Sequence, residues 1–169
     1  IGGGDGARLT LDGMDGVQVL GTNTMNTPVE VVEMYYPLTI DEYSLRPDSG
    51  GAGKHRGGLG IKRVFRIEGH NSSLTANTDW IAQKPDGTEG GGKGAMTKLV
   101  LNEGTEKEEI PKYCKVMKTM GDGETFTVYT GGGNGYGIPN HRDVKLVRAD
   151  FLNGKVTREG AKNDYEIEI

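Results

Sequence analysis

The sequence predicts an α+β, β-rich fold of antiparallel strands joined by glycine-rich loops, with short helices of which two lie near the C-terminus. Three observations carry this. Short runs with period-two alternation, such as LTIDEYSL (Leu38 to Leu45), recur along the chain between turn residues. Glycine supplies 29 of the 169 residues, with neither a three-residue period nor an excess of proline. That content is far above the usual share of about 7% and points to many tight turns and positive φ angles rather than to a collagen or a low-complexity chain. Finally, Asn140 and Thr157 each precede a stretch that reads as a capped helix.

Taken in order, a glycine-rich lead-in (1–16) is followed by VQVLGTN (Val17 to Asn23), which alternates as a strand. Thr27-Pro28-Val29-Glu30 predicts a helix start: Thr27 caps, Pro28 suits the first position, and Glu30 completes a capping box. Pro37 stops that helix. The next strand, Leu38 to Leu45, sends Leu38, Ile40 and Leu45 to the core, with a switch of face near Tyr43. A loop over Pro47 to Gly58 leads to strand IKRVFRI (Ile61 to Ile67), whose Lys62, Arg63 and Arg66 face partly outward. SLTANTDW (Ser73 to Trp80) and TKLVLN (Thr97 to Asn102) read as further strands around a second loop, Lys84 to Gly94, and a polar turn covers 102–109. Lys115 to Met120 and Glu124 to Thr130 flank Gly121-Asp122-Gly123 as a hairpin. Beyond a third glycine loop, Asn140 caps a helix from His141 to Leu152. Gly154 ends it, and Thr157 caps a last helix to Tyr165, so 140–165 forms a helical pair within a single unit, 1–169.

Charge narrows the function classes. The net charge is -4 with acidic and basic residues interspersed, so no basic face suits nucleic acid and no polybasic run suits a membrane. No apolar stretch approaches the roughly 18 residues of a membrane span. The single cysteine, Cys114, forms no internal disulfide. These features fit a cytoplasmic protein.

GTEGGGKG (Gly87 to Gly94) has the glycine and lysine spacing of a phosphate loop, but Gly94 stands where a Ser or Thr must hold magnesium, and no helix pattern follows. In SGGAGKHRGG (Ser49 to Gly58), Lys54, His55 and Arg56 sit in a backbone whose N–H groups can converge on an anion, the Arg56 fork being the best suited to an oxyanion. The competing reading is that the glycines solve a packing problem and the cations are solvated. Asn23 and Asn26 lie in a strand-to-helix turn and are candidates for lining a substrate cavity, whereas capping accounts for Thr27 and Glu30. His55, His70 and His141 have no partner at metal-ligand spacing, and no Ser or Cys has a recognisable base, so no metal site and no independent nucleophile is expected.

Three strings occur in a fixed order: TNTMNTPVEVVE (Thr22 to Glu33), RPDSGGAGKHRGGLG (Arg46 to Gly60) and TGGGNGYGIP (Thr130 to Pro139). Together they resemble the C-terminal part of the hydantoinase B/oxoprolinase family, over about Val17 to Tyr165. The chain departs at Asn134, where the family usually has Gly, and at Ile138, where it usually has Asp. The resemblance implies a fragment or split subunit of an ATP-dependent enzyme that hydrolyses cyclic amides such as lactams, hydantoins or 5-oxoproline. It implies partners as well: an A-type subunit holding ATP and magnesium, and the remainder of the B-type subunit, whose N-terminal portion holds a divalent metal. ATP-dependent carboxylation of a ketone such as acetone or acetophenone shares that architecture. A non-catalytic assembly module is the alternative from another class. It is separated from the first by whether Asn23, Asn26, Lys54 and Arg56 share one cleft.

Overall fold

The structure, a computed structural model, describes residues 1–17, 24–79, 83, 85–112 and 115–169. Except for Val17, the strand expected over Val17 to Asn23 lies outside the described residues, as do Trp80 and Cys114. In chain order the elements are α1 (Val29–Tyr35), β1 (Leu38–Leu45), β2 (Ile61–Ile67), β3 (Ser72–Asn77), β4 (Lys98–Leu101), β5 (Lys115–Met120), β6 (Thr125–Tyr129), a 3₁₀ turn (Pro139–His141), α2 (Val144–Leu152) and α3 (Arg158–Tyr165). All pairings are antiparallel, in a four-stranded sheet of order β1-β2-β6-β4 and a two-stranded sheet β3-β5. The β-rich α+β expectation therefore holds.

The expected hairpin at Gly121-Asp122-Gly123 does not form. β5 pairs with β3 and β6 pairs with β2, so the turn joins two sheets. The register explains how. Arg66 faces Thr125 in one sheet and Ser72 faces Met120 in the other, while between them Ile67 N–H donates to the Glu124 carbonyl and Gly123 N–H to the Ile67 carbonyl. From Ile67 to Ser72 the chain advances one residue more than from Glu124 to Met120. The two pairings are thus one long ribbon, bent at a bulge-like corner. Gly69 (φ 70) and Gly123 (φ 75) supply the left-handed backbone there, and Gly69 N–H donates to Asp122 Oδ1 at 2.6 Å.

Bending the ribbon folds one sheet over the other and encloses a core of Ile67, Leu99, Leu101 and Met120, with Leu38, Leu74, Ala76, Val116, Phe126 and Val128 packed against it. Along β1 the register shifts between Ile40 and Glu42, so the bulge at Asp41, rather than a switch near Tyr43, re-aims the strand. Leu38 and Ile40 are half-buried, but Leu45, expected in the core, is 44% exposed. Arg63, expected to face partly outward, is only 3% exposed and shares the β2 face of Ile61 and Ile67.

The helices correct two caps and support a third. Pro28 is the N-cap of α1 and no side chain caps it, so Thr27 makes no cap. Asn140 belongs to the 3₁₀ turn, and it is Asp143 that caps α2, accepting from Lys145 N–H at 2.9 Å. Thr157 caps α3 as expected, accepting from Gly160 N–H at 3.0 Å. Val147, Val156, Ala161 and Tyr165 form a second apolar cluster, against which Ala52 of the first glycine loop packs. The helical pair thereby sits on the glycine-rich part of the molecule. Among the described residues no helix is long and apolar enough to cross a membrane.

Candidate functional site

The glycine strings do not stay apart as three loops. They run side by side with the 1–16 segment, backbone against backbone, in a bundle that has no side-chain layer. Gly4 N–H donates to Gly131 O at 2.9 Å, Gly58 to Asp5 at 2.8 Å, Gly133 to Gly58 at 2.8 Å, Gly51 to Gly133 at 2.8 Å and Gly135 to Gly92 at 2.9 Å. A Cβ on Gly133 would lie 1.7 Å from the Asp5 carbonyl oxygen, and one on Gly132 would lie 1.8 Å from that of Ser49. Such approaches exclude every residue but glycine. Gly87, Gly91 and Gly94 are used in the same way, against Gly135 and Gly132, which is why the string with phosphate-loop spacing has glycine where the loop chemistry needs a hydroxyl. Asn134, one of the two departures from the resembled pattern, fastens this loop: its Oδ1 accepts from Gly94 N–H at 3.0 Å and its Nδ2 donates to the Pro85 and Asp86 carbonyls.

One edge of the bundle carries a buried ionic network. Arg142 donates to both oxygens of Asp12 (2.7 and 2.6 Å) and to Asp150 Oδ2 (2.7 Å). Arg56, 2% exposed, holds Asp15 at 3.1 Å, lies 3.4 Å from Asp150 and donates to the Gly57 carbonyl. Lys155 closes the set on Asp15 at 2.8 Å. Burial pushes the Asp12 carboxyl up, but the Arg142 hydrogen bond and charge and the Arg56 N–H outweigh it and hold the group below its usual range. Asp15 is likewise held low, by Lys155, the Leu59 N–H and Arg56 against the effect of burial. Burial also pushes the Tyr165 phenol up, to about 12, beside this network. The fork of Arg56, expected to grip an oxyanion, grips protein carboxylates instead. His55 Nδ1 stands 3.8 Å from Asp12, while its backbone bridges that of Tyr136 in both directions. Lys54 is exposed and offers its carbonyl to Arg142. Sequence reasoning missed Asp12, Asp15, Arg142 and Asp150. The available signal was the pair of acids in LDGMDG, within the stretch read as a lead-in.

The second expected group lies elsewhere. Asn26 is half-buried and its Nδ2 donates to the Tyr43 hydroxyl at 2.9 Å, while Asn23 lies outside the described residues. Beside them the Arg63 guanidinium is held between the rings of Tyr43 and Phe65, 4.8 and 4.9 Å from their centroids. Among the described residues its one hydrogen bond, to the Thr27 carbonyl, is long at 3.4 Å. Burial holds the Arg63 pKa below its ordinary value, with the Tyr43 charge opposing. Each ring contributes up to about 2 kcal/mol to a desolvated cation, whereas burying an ion has an effective penalty of several kcal/mol.

Phe65, stacked on Phe126 at 4.5 Å, also lines an open cleft of about 960 Å³. Its other walls include Leu74, Leu99 and Val128 on the sheets and Gly131 to Asn134 of the bundle. That size suits a small molecule and its lining is mixed apolar and polar. None of Asn26, Lys54, His55 and Arg56 lines it. The four therefore share no single cleft: Asn26 sits against Tyr43 of β1 and the 54–56 trio in the bundle. Among the described residues no group of three or more His, Cys, Asp or Glu side chains is placed to hold a metal ion.

Comparison with known proteins agrees with this architecture. An uncharacterised protein of Methanocaldococcus jannaschii is 43% identical over all of this chain and 30% of its own length. A putative D-/L-hydantoinase of a Pseudomonas species, in its B-type subunit, is 34% identical over 97% of this chain and 28% of its own length. Among solved structures, the ATP-dependent caprolactamase of Pseudomonas jessenii superposes with a TM-score of 0.83 at 30% identity, covering 99% of this chain and 30% of that one. The chain thus spans less than a third of the relatives it matches. The family model for hydantoinase B/oxoprolinase matches residues 1–139, beginning within the stretch read as a lead-in and taking in all three glycine strings. With that match covering most of the sequence and the bundle accounting for the glycines it contains, the chain belongs to the hydantoinase B/oxoprolinase family.

Proposed function

We propose that this chain works as part of an ATP-dependent hydrolase of cyclic amides, joined to the rest of a B-type subunit and to an A-type subunit that binds ATP and magnesium, in the cytoplasm. The observation that carries this is the full-length superposition on caprolactamase, an ATP-dependent enzyme of which this chain corresponds to 30%. The putative hydantoinase relative supports the same substrate class, a ring closed by an amide. The chain's own contribution is architectural and ligand-lining. The bundle and its ionic network form a rigid base, and the cleft walled by Phe65, Leu74, Leu99, Val128 and Gly131 to Asn134 receives part of the ring-closed substrate. ATP chemistry and any divalent metal belong to the other parts of the assembly.

The test is reconstitution. The purified chain is expected to show no ATP turnover and no ring opening. The complex assembled with its A-type and remaining B-type parts is expected to open a hydantoin, 5-oxoproline or lactam with ATP hydrolysis. ATP turnover by the verified chain alone would overturn the proposal. Carboxylation of acetone or acetophenone by the complex, without ring opening, would replace the reaction class while leaving the assembly intact.

A further inference from the structure

The side chains that line the cleft of about 960 Å³ are sorted by chemistry. Phe65 and Phe126, cross-strand partners with rings stacked 4.5 Å apart, form a hydrocarbon wall with Val128 and Leu99. The other sheet contributes β3 and the two residues beyond it, Thr78 and Asp79. Among the described residues the lining holds no Lys, Arg or His, and Asp79 is its one ionisable side chain.

Strand register explains the missing cations. Lys62 and Lys98 both lie across from Tyr129, each 5.7 Å from its ring centroid. Val128 and Leu99, next along β6 and β4, point to the opposite face, toward the cleft. Arg63 is held between the rings of Tyr43 and Phe65 and does not line the cleft. Two of the neutral polar groups on the wall are spent inside the fold. Thr130 Oγ1 accepts from Ile61 N–H at 2.7 Å, and Asn134 is fastened to Gly94, Pro85 and Asp86. Asp79 differs: it is exposed, and among the described residues no cation pairs with its carboxylate and no N–H donates to it. Water is the ordinary partner of such a group, and its place on a cleft wall makes the N–H of a ligand the alternative.

We propose that the cleft selects uncharged ring amides carrying an apolar substituent, with Asp79 as the residue that accepts the ring N–H and turns away ligands bearing a carboxylate. A small ring holds its amide cis, so N–H and carbonyl lie along one edge and hydrocarbon along the other, which matches an acceptor set against an aromatic wall. A carboxylated ring such as 5-oxoproline meets a like charge with no cation on the wall to offset it. Specificity then comes from repulsion as much as from contact. This rests on the reading that the cleft receives the ring-closed substrate, and it narrows that substrate to the neutral members of its class.

The experiment uses the 169-residue chain, acetylated at its α-amino group because Ile1 lies on the cleft wall and its terminal charge would attract an anion. Four probes differ by one feature each: 2-pyrrolidinone, its N-methyl derivative, 5-phenyl-2-pyrrolidinone, and 5-oxoproline, which is 2-pyrrolidinone with a carboxylate. Backbone amide shifts of ¹⁵N-labelled protein, followed over Leu74 to Asp79 and Gly131 to Gly133, report both place and affinity. The expected result is saturable shifts there, with 2-pyrrolidinone at least about threefold tighter than 5-oxoproline. The phenyl compound should be about fivefold tighter still, and the N-methyl compound weaker than its parent. Asp79→Asn, at an exposed position with no contact in the fold to lose, should bring 5-oxoproline level with 2-pyrrolidinone, and Asp79→Lys should place it ahead. A wild-type protein that binds the lactams but takes 5-oxoproline equally well overturns the proposal and leaves the cleft as a substrate site. A preference unchanged in Asp79→Asn, or an N-methyl compound as tight as its parent, overturns the role given to Asp79. Shifts by none of the four overturn the proposal together with the reading of the cleft on which it rests.

Discussion

Arg142 is the residue on which the ionic network turns, since its guanidinium joins Asp12 of the first glycine segment to Asp150 of α2. Replacing it by Met leaves Asp150 nearly buried without a full partner. Removal of one member of a buried pair costs about 3–5 kcal/mol, and the low end applies here because Asp12 is about a third exposed. The pH dependence has a definite sign. Asp12 and Asp15 titrate lower in the fold than in the unfolded chain, where the value is about 4. Their contribution is therefore complete above about pH 4 and is lost as the pH falls through the folded values. Urea unfolding of wild type and Arg142→Met from about pH 7 downward should show a gap of about 3 kcal/mol that narrows in acid. A gap constant with pH would refute the assignment. At this scale the sequence was partly legible. Arg56 stood out, but its partners lie 41 and 94 positions away, and no local pattern joins them.

Among the elements, strands were legible wherever alternation met turn residues: β1 spans Leu38–Leu45 and β2 spans Ile61–Ile67, as read from sequence. The Gly121-Asp122-Gly123 turn misled because a tight hairpin and a ribbon corner ask for the same residues. Only strand pairing, which is non-local, tells them apart. Helix caps show a similar limit. Thr27 and Thr157 look alike in sequence, yet only Thr157 offers its hydroxyl oxygen to its helix, because Pro28 takes the cap position in α1. Thr157→Ala is expected to cost about 1 kcal/mol and Thr27→Ala less than about 0.5 kcal/mol, by chemical denaturation. Equal losses at the two positions would contradict the cap geometry.

For the molecule as a whole, glycine content was plain in the sequence but its use was not. Strings that read as loops prove to be a packed body, and glycine carries no side-chain periodicity from which such packing can be inferred. The distinction is testable between two glycines of the chain. Gly133→Ala places a Cβ 1.7 Å from the Asp5 carbonyl and is expected to abolish the native fold, whereas Gly6, with no atom within 4 Å of its Cβ site and no positive φ, should accept Ala within about 0.5 kcal/mol. One-dimensional NMR dispersion and melting of the two variants decide it, and a folded Gly133→Ala would mean the bundle can spread. The candidate site follows the same division. Asn26 was visible as an unexplained polar residue in a turn, but the aromatic hold on Arg63 depends on β1–β2 register, so it emerged only with the fold.

The bundle also shapes how the protein responds to temperature. Its order lies in peptide N–H···O contacts between bare backbones, so unfolding it releases polar peptide surface far more than hydrocarbon. Hydration of polar surface lowers the heat capacity, while that of apolar surface raises it. The glycine-rich half therefore adds little to the heat-capacity change of unfolding and flattens the stability curve, leaving the protein less sensitive to cold than a domain of equal size held by a conventional oily core.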